Sequence, residues 1–470
     1  MNTHNSGVSQ EIGTKPEGIG FKILRIVTVI RPGEALTAFL LTLYSFLLFL
    51  AYYIIKPVRD ALMLDSWPAE TKSYLSAAIA VLLIFVVKIF SRIASRAPRN
   101  KLITWVTLFF ISNLGIFYIL YLSGVGPGTM GIIFFIWAGI FNLIIVAQFW
   151  GFANDLYTED EGKRLFPLVA FGATFGGFAG GSLTAWLTAS LGVFELMLVA
   201  AGFLGICIFL TLIIHNREVK RAAIKAAQVS QELESAKEEQ EKPLGKEGAF
   251  RLVFRSHYLL YIAFFVLLLN FVNTNGVYML DTVAQNAAAK AIETGTASGL
   301  DKGQYLTAFF AGFYNIQNLF GMFVQLFIVS RVFKWFGVRV AIFILPALAL
   351  GGYFFVSFGA TLLLVKWVKA LENGMDYSLM NTTRHSLFLI TTREEKYKAQ
   401  AVTKSFFHRS GDVLSAALIF LGTTFLAFKV ENFAMVNFAL VLIWIFLGIL
   451  IFREHKKLSA ERIEQQMRQN

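Results

Sequence analysis

Basic side chains set at helical spacing inside apolar surroundings could hold an anion, and this chain has two such groups. Lys366, Lys369, Glu372, Asp376 and Arg384 fall within roughly a third of a helix circumference at 3.6 residues per turn. A charge near the centre of a membrane helix costs roughly 2.5–3.5 kcal/mol on insertion scales, so such residues face an interior cavity or a partner. Lys369 with Glu372 could equally pair internally as a structural network. Earlier in the chain Ser45, Tyr52, Lys56 and Arg59 share one helical face, provided the helix continues past Pro57. If it does not, KPVRD only ends that helix at the membrane surface. Amides and hydroxyls add two further polar faces, Asn270, Asn273, Thr274 and Asp281 on one, Tyr314, Gln317, Asn318 and Gln325 on the other. Singly, each could hydrogen-bond a neighbouring helix. Together they outline a wet cavity of positive bias, suited to a solute with several negative charges, because Lys and Arg give the charge-assisted bonds that phosphate oxygens accept.

The elements that must position these groups are membrane helices. Of 470 residues 56% are hydrophobic, 48 are Phe and only 15% are charged, outside the usual range of a water-soluble chain. Apolar runs of about 20 residues, enough to span the hydrocarbon core, occur twelve times, near 35–55, 73–90, 101–122, 130–150, 166–189, 194–214, 258–280, 304–329, 339–357, 360–381, 402–428 and 432–452. The expected fold is all-α, with a lipid bilayer as its surroundings. The formal charge of +12 is spread over short loops and tails, which fits membrane orientation and not nucleic-acid binding. Arg92, Arg96, Arg99 and Lys101 follow span two, and Arg331, Lys334 and Arg339 follow span eight, whereas loops 123–129, 190–193 and 357–360 carry no charge. The positive-inside rule then places both termini in the cytoplasm, in a multi-pass protein of the cell inner membrane.

Composition divides the chain into a tail (1–33) with an amphipathic segment, a six-helix half (34–214), a charged linker (215–255), a second six-helix half (256–452) and a tail (453–470). The tail lacks the pattern of a cleaved signal peptide. Residues 281–303, rich in small side chains, read as an external loop. Corresponding loops of the halves share short patterns, Ser91-Arg92-Ile93 with Ser330-Arg331-Val332, and Leu156-Tyr157 with Leu387-Phe388. Two six-helix pseudo-repeats around a cavity that opens alternately to each side is the major-facilitator arrangement. Gly172, Gly176 and Gly180, with Gly177 and Gly181 beside them, make a face for close helix approach. The single cysteine, Cys207, excludes an internal disulfide and a multi-cysteine metal site. No phosphate-binding loop or zinc-protease motif occurs, and neither catalysis, a metal nor a cofactor is expected. His385 and His408 could relay protons, or simply be hydrogen-bonded structural residues.

Glycines and charges crowd most densely in residues 149–181, where FWGFAN is followed by Asp160-Glu161-Gly162-Lys163-Arg164 and Phe166-Pro167-Leu168. This stretch resembles a signature of the ATP/ADP translocases, the nucleotide transporters of plastids and intracellular bacteria. KPVRD is similar to that family's basic-x-x-basic-Asp motif, and Leu387-Phe388, Glu395 to Lys398 and Arg409-Ser410-Gly411 to a third block. The resemblance implies a major-facilitator-like fold and exchange of adenine nucleotides without hydrolysis. It also implies a substrate or gating role for Lys56, Arg59, Asp160, Glu161, Lys163 and Arg164. Asp155 stands where the family carries an uncharged amide, the loop after Phe388 is shorter, and Asp412 replaces a usual Lys, marking a short, divergent member.

These readings converge on a carrier of adenine nucleotides or a related phosphorylated anion. Lys56, Arg59, Lys366, Lys369 and Arg384 are the expected substrate contacts. Asp160, Glu161, Lys163, Arg164, Lys396 and Lys398 are the expected gate at the cytoplasmic mouth, and the deep site is expected across spans one and ten. A proton-coupled carrier of another solute, with Asp376 and Asp155 titrating, is the alternative, and a non-transporting scaffold acting through linker and tail a third.

Overall fold

The computed structural model describes residues 34–94, 99–157, 159–229 and 249–469. The expected tail 1–33 and linker stretch 230–248 lie outside these, as do the side chains of Asp160, Lys163 and Lys396. The first half contains α1 (Ala35–Ser66), α2 (Ala69–Ala94), α3 (Arg99–Leu122), α4 (Pro127–Leu156), α5 (Glu159–Leu187) and α6 (Glu195–Val229). A short α7 (Ala249–Arg255) leads to α8 (His257–Glu293), α9 (Lys302–Phe323), α10 (Val329–Trp335), α11 (Gly337–Phe358), α12 (Leu362–Met375), α13 (Asn381–Leu387), α14 (Arg393–Val402), α15 (His408–Thr424) and α16 (Val430–Gln469). Single π turns at Val324–Ile328, Asp376–Met380 and Thr403–Phe407 join α9 to α10, α12 to α13 and α14 to α15.

Ten helices among the described residues are long and apolar enough to cross a membrane. The expected tenth and eleventh spans are present as helical runs interrupted by π turns, and their longest unbroken pieces, of 14 and 17 residues, are short for a crossing. Hydrocarbon offers no partner for backbone polar groups, so each crossing must satisfy its own. α1 continues through Pro57 and stops at Ser66, because Pro68 forces the residue before it, Trp67, into extended geometry (φ −124°, ψ 146°). α8 starts at Ser256, whose hydroxyl accepts from the Leu259 amide. It then runs 37 residues, straight through the segment expected as an external loop. The alanine-rich AQNAAAKAIE sequence favours helix over loop, so the true connection is only residues 294–301. α9 begins with an Asp301/Gln304 capping box and α14 with a Thr392/Glu395 box.

Buried apolar side chains form one cluster from Ala38 to Ile214 and another centred on residues 253–451. The second also takes in Ala61, Leu64 and Ala69, where α1 and α2 meet the other half. Contacts define two ends of the bundle. At one, here the Glu34 end, Arg164 pairs with Glu34, and Thr37 donates to Glu218. At the other, the Ser66 end, Gln285 donates to the carbonyls of Leu64 and Trp67.

The glycine face of α5 serves two neighbours. A Cβ on Gly176 would stand 2.1 Å from the Phe46 carbonyl oxygen, and one on Gly180 2.4 Å from that of Leu50, so this stripe admits the backbone of α1. Gly177 and Gly181 turn to the second half, where a Cβ would meet Asn318 at 3.0 Å and Asn315 at 2.2 Å on α9. Gly176→Ala is therefore expected to destabilise the protein by about 1–3 kcal/mol through overpacking, although alanine alone favours a helix. Gly202→Ala, with nothing within 4 Å of the added carbon, leaves stability unchanged or higher. Heating detergent-solubilised variants and measuring the fraction still monodisperse by size-exclusion chromatography checks both outcomes.

Candidate functional site

Because α1 runs unbroken through Pro57, Lys56 before it and Arg59 and Asp60 after it stand on one helix against the second half. Asp60 is fully buried. Its carboxylate accepts from Arg59 at 3.0 and 2.7 Å and from the Tyr314 hydroxyl at 2.5 Å. Lys72, on the first turns of α2, lies 3.1 Å from the same carboxylate and donates to Asp281 of α8 at 2.8 Å. Two carboxylates and two cations, nearly all out of contact with solvent, thus tie α1 and α2 to α8 and α9. Toward the Ser66 end the tie continues: Tyr278 donates to Glu70 at 3.3 Å, and Lys302 to the Asp65 carbonyl at 2.5 Å. The halves are latched together there.

Lys56 stands beside this network in a different state. Its amine lies 3.9 Å from the ring centroid of Tyr314, 5.3 Å from that of Tyr53 and 6.0 Å from that of Tyr52. Among the described residues no carboxylate stands within ion-pair distance of it. Its charge is held by ring faces, an attraction of about 0.5–2 kcal/mol per ring that leaves its three N–H donors uncommitted. Tyr377, from the π turn after α12, is within electrostatic reach of Tyr52, Tyr53 and Arg59, and is 57% exposed. Arg384, about two turns further on, lies 3.2 Å from Asp376. Around Lys56 and Arg59 the rings of Tyr52, Tyr53 and Tyr314 make one aromatic and cationic cluster between the halves, the chamber, with Tyr377 and Arg384 nearby on the second half. Such a set offers ring faces for stacking and N–H donors for phosphoryl oxygens.

The other expected substrate contacts stand elsewhere. The Lys366 amine lies 5.1 Å from the Phe309 ring. Phe309 and Tyr314, five residues apart, project about 140° apart around α9 at 100° per residue. α9 therefore stands between Lys56 and Lys366, so spans one and ten do not face each other at this level. Lys369 is buried, 3.0 Å from Glu372, and also donates to the Asn273 side chain at 2.7 Å. Tyr353 donates to Glu372 at 2.7 Å. A Cβ at Gly276 would meet Lys369 at 2.9 Å, so the missing side chain of Gly276 is what lets this amine in. The internal pairing of Lys369 and Glu372 is the one that forms.

At the Glu34 end, Arg164 makes a forked pair with Glu34, both bonds 3.0 Å, joining α5 to the start of α1. Glu161 is half-buried on α5. Lys398 donates to Glu394 at 2.7 Å within α14. Asp412, in the position of the expected base, accepts from Asn270 and Thr274 of α8, both at 2.8 Å, and from Arg409 at 3.2 Å. Burial, with Lys404 and then Arg384 beside it, holds the His385 imidazole below its ordinary pKa, and Lys404 donates to it at 3.1 Å.

Four participants are not singled out by the sequence: Lys72, Asp60 as a hub, Tyr53 and Tyr377. Lys72 left a signal: in the orientation expected from the sequence it is a basic residue at the outer end of span two, where the positive-inside rule disfavours one. Tyr377 left none, because the π turn shifts the helical phase on which its placement depends.

Comparison with known proteins adds to this geometry. In solved structures the fold is matched by the nucleoside transporter NupG (13% identity, 90% of this chain and 99% of that one, TM-score 0.61). It is matched also by a POT family transporter in complex with 5-aminolevulinic acid (12%, 90% and 96%, 0.60). A third match is a bacterial homologue of the human lysosomal transporter Spinster (14%, 92% and 99%, 0.54). The fold is major-facilitator-like. In sequence, the plastidic ATP/ADP-transporter of Solanum tuberosum is 27% identical over 152 residues, covering 26% of this chain and about a quarter (24%) of that one. The profile described as TLC ATP/ADP transporter matches residues 130–454, more than half of the chain. A profile match over more than half of the chain shows the family, and the chain belongs to the TLC ATP/ADP transporter family.

Proposed function

We propose that this protein exchanges adenine nucleotides, or closely related phosphorylated anions, across the cell inner membrane by alternating access and without hydrolysis, the Glu34 end and both termini facing the cytoplasm. The observation that carries the substrate class is Lys56, an ammonium surrounded by tyrosine rings and lacking a carboxylate partner among the described residues. A charge left unpaired between the halves of a carrier is available to an anion, and the rings beside it are available to a base.

In this reading Lys56, Arg59 and Arg384 contact phosphates, and the tyrosines contact the base. Lys369 holds α12 against α8, and Lys366 stands across α9 from the phosphates, so the sequence-derived set narrows to three. The Asp60 network is the outer gate. A phosphate that draws Arg59 away from Asp60 removes one of the latch's cations, which couples occupancy to opening of the Ser66 end. Asp160, Glu161, Lys163, Arg164, Lys396 and Lys398 serve the inner mouth, making and breaking pairs as that end closes. Arg164 with Glu34 and Lys398 with Glu394 represent the pairs held while the outer gate is shut.

Proteoliposomes test the reading. Uptake of labelled ADP should rise several-fold when unlabelled ADP or ATP is trapped inside, and Lys56→Met should abolish it while membrane insertion is retained. Absence of trans-stimulation by any nucleotide would falsify exchange. Uptake driven by a pH gradient into empty vesicles would point instead to proton coupling.

The gate is tested separately. Lys72→Met leaves two carboxylates buried with one cation fewer, a change worth about 3–5 kcal/mol when a buried pair is broken. Lys72→Met/Asp281→Asn restores the balance of charge. The expected result is that a thiol placed at Tyr377, on the Glu34 side of the network and in none of its bonds, reacts faster with an impermeant maleimide in Lys72→Met than in the parent, and that the double variant reverts toward the parent. Cys207 is buried and gives little background. Equal labelling in all three would show that the network does not hold the outer end shut.

A further inference from the structure

α2 and α15 come from different halves. They touch near the Ser66 end, where the rings of Tyr74 and Phe420 meet edge to face at 6.3 Å. Toward the Glu34 end they part around a cavity of about 790 Å³. Its walls are Ala80, Ile84 and Val87 on one side and Phe406, Val413 and Leu414 on the other, and Ile84 is 66% exposed. The polar groups of the lining are gathered in a single stretch, Lys404, Ser405, Arg409 and Ser410, at the Glu34 end of the run. From Lys404 to Leu414 the helical rise is about 15 Å, which is the depth of one leaflet of a hydrocarbon core about 30 Å thick.

Both cations can accept an anionic ligand. Lys404 is exposed and its only hydrogen-bond partner among the described residues is the ring of His385, so it has no carboxylate partner among them. Arg409 meets Asp412 through Nη1 alone, at 3.2 Å, with 44% of its side chain exposed, so most of its five donors are uncommitted. An opening between membrane helices, apolar along its depth and basic at its cytoplasmic end, has the polarity of a phospholipid and the charge complement of an anionic headgroup. A nucleotide would set its ribose and base against the aliphatic side chains of α2, where no described polar group answers them.

We infer that this wedge binds an anionic phospholipid from the leaflet at the Glu34 end, its phosphate between Lys404 and Arg409 and an acyl chain along Ile84, Val87, Val413 and Leu414. The bound chain keeps α2 and α15 apart, so an anionic membrane favours the form whose outer latch is shut. The site does not depend on which solute the carrier moves.

Native mass spectrometry of the purified full chain, titrated with phosphatidylglycerol and with phosphatidylcholine of the same acyl chains, tests this. The parent should retain phosphatidylglycerol on the order of tenfold better, as two basic contacts imply. Lys404→Gln/Arg409→Gln should bring the two lipids to parity, and Ile84→Trp/Val413→Trp, which fills the wedge, should lower retention of both. Lys404→Gln alone, a change at an exposed side chain, should lose about a third to a half of the logarithm of the preference and serves if the double variant does not fold. Equal retention of both lipids by the parent would overturn the proposal. So would an undiminished preference in the Lys404→Gln variants, or displacement of the lipid by ADP from the wedge with loss of ADP binding in the tryptophan variant.

Discussion

The amine of Lys72 is shared between Asp60 and Asp281, one carboxylate from each half of the protein. Much else follows from that sharing. A charge removed from water is costly, and a buried pair recovers the cost only where its geometry is good and its remaining donors and acceptors are met. Here Arg59 and Tyr314 complete the shell of Asp60. Two positive and two negative groups balance only when α1, α2, α8 and α9 are all in place. The long overhang of α8 beyond the expected loop boundary is part of the same construction, since it brings Gln285 to the end of α1. Gly177 and Gly181 let α5 approach α9 on the adjoining face. An interface built this way has two states, made or broken, because a half-opened one strands buried charge.

The cations set among the membrane helices divide by whether a carboxylate answers them. Lys369 is committed: Glu372, Asn273 and the space left by Gly276 hold it in the second half, and Tyr353 caps the arrangement. Asp412 is likewise committed, to Asn270, Thr274 and Arg409, which is how an acid is held at a position where the resemblance implies a base. Among the described residues Lys56 is answered by aromatic faces, with no carboxylate within ion-pair distance. Polar groups that satisfy each other give the scaffold its shape, and those that do not are where a solute can gain free energy.

What could be read in the sequence follows the range of the interactions. Helices were legible because the bilayer imposes a length and an apolar composition on each, and helical phase correctly put Lys56 and Arg59 on one face. Phase could not say which helix stands between two faces. α9 separates Lys56 from Lys366, and that depends on packing angles and on the π turn at Asp376–Met380, which resets the phase that placed Arg384 with Lys366. The 281–303 segment was misjudged because small residues suggest a loop when burial is unknown, while Ala284, Ala288 and Ala291 are in fact packed. Lys72 lay in plain sight as a basic residue on the wrong side of the charge rule. Its meaning required Asp281, more than two hundred residues away, to be placed beside it.

Arg59 is the point at which latch and chamber meet. It touches Asp60 through two nitrogens, lies 5.0 Å from the Phe135 ring, and is one helical turn from the uncommitted Lys56. A phosphate arriving at Lys56 is within one turn of a guanidinium whose planar fork suits it as well as it suits a carboxylate. Competition between the two anions requires no moving part beyond a side chain. It favours opening only when the solute supplies negative charge in place of Asp60, because a neutral solute would leave Arg59 where it is. In the proposed reading, the geometry that would bind the anion also makes empty opening unfavourable, which is the condition an exchanger must meet and a simple channel need not.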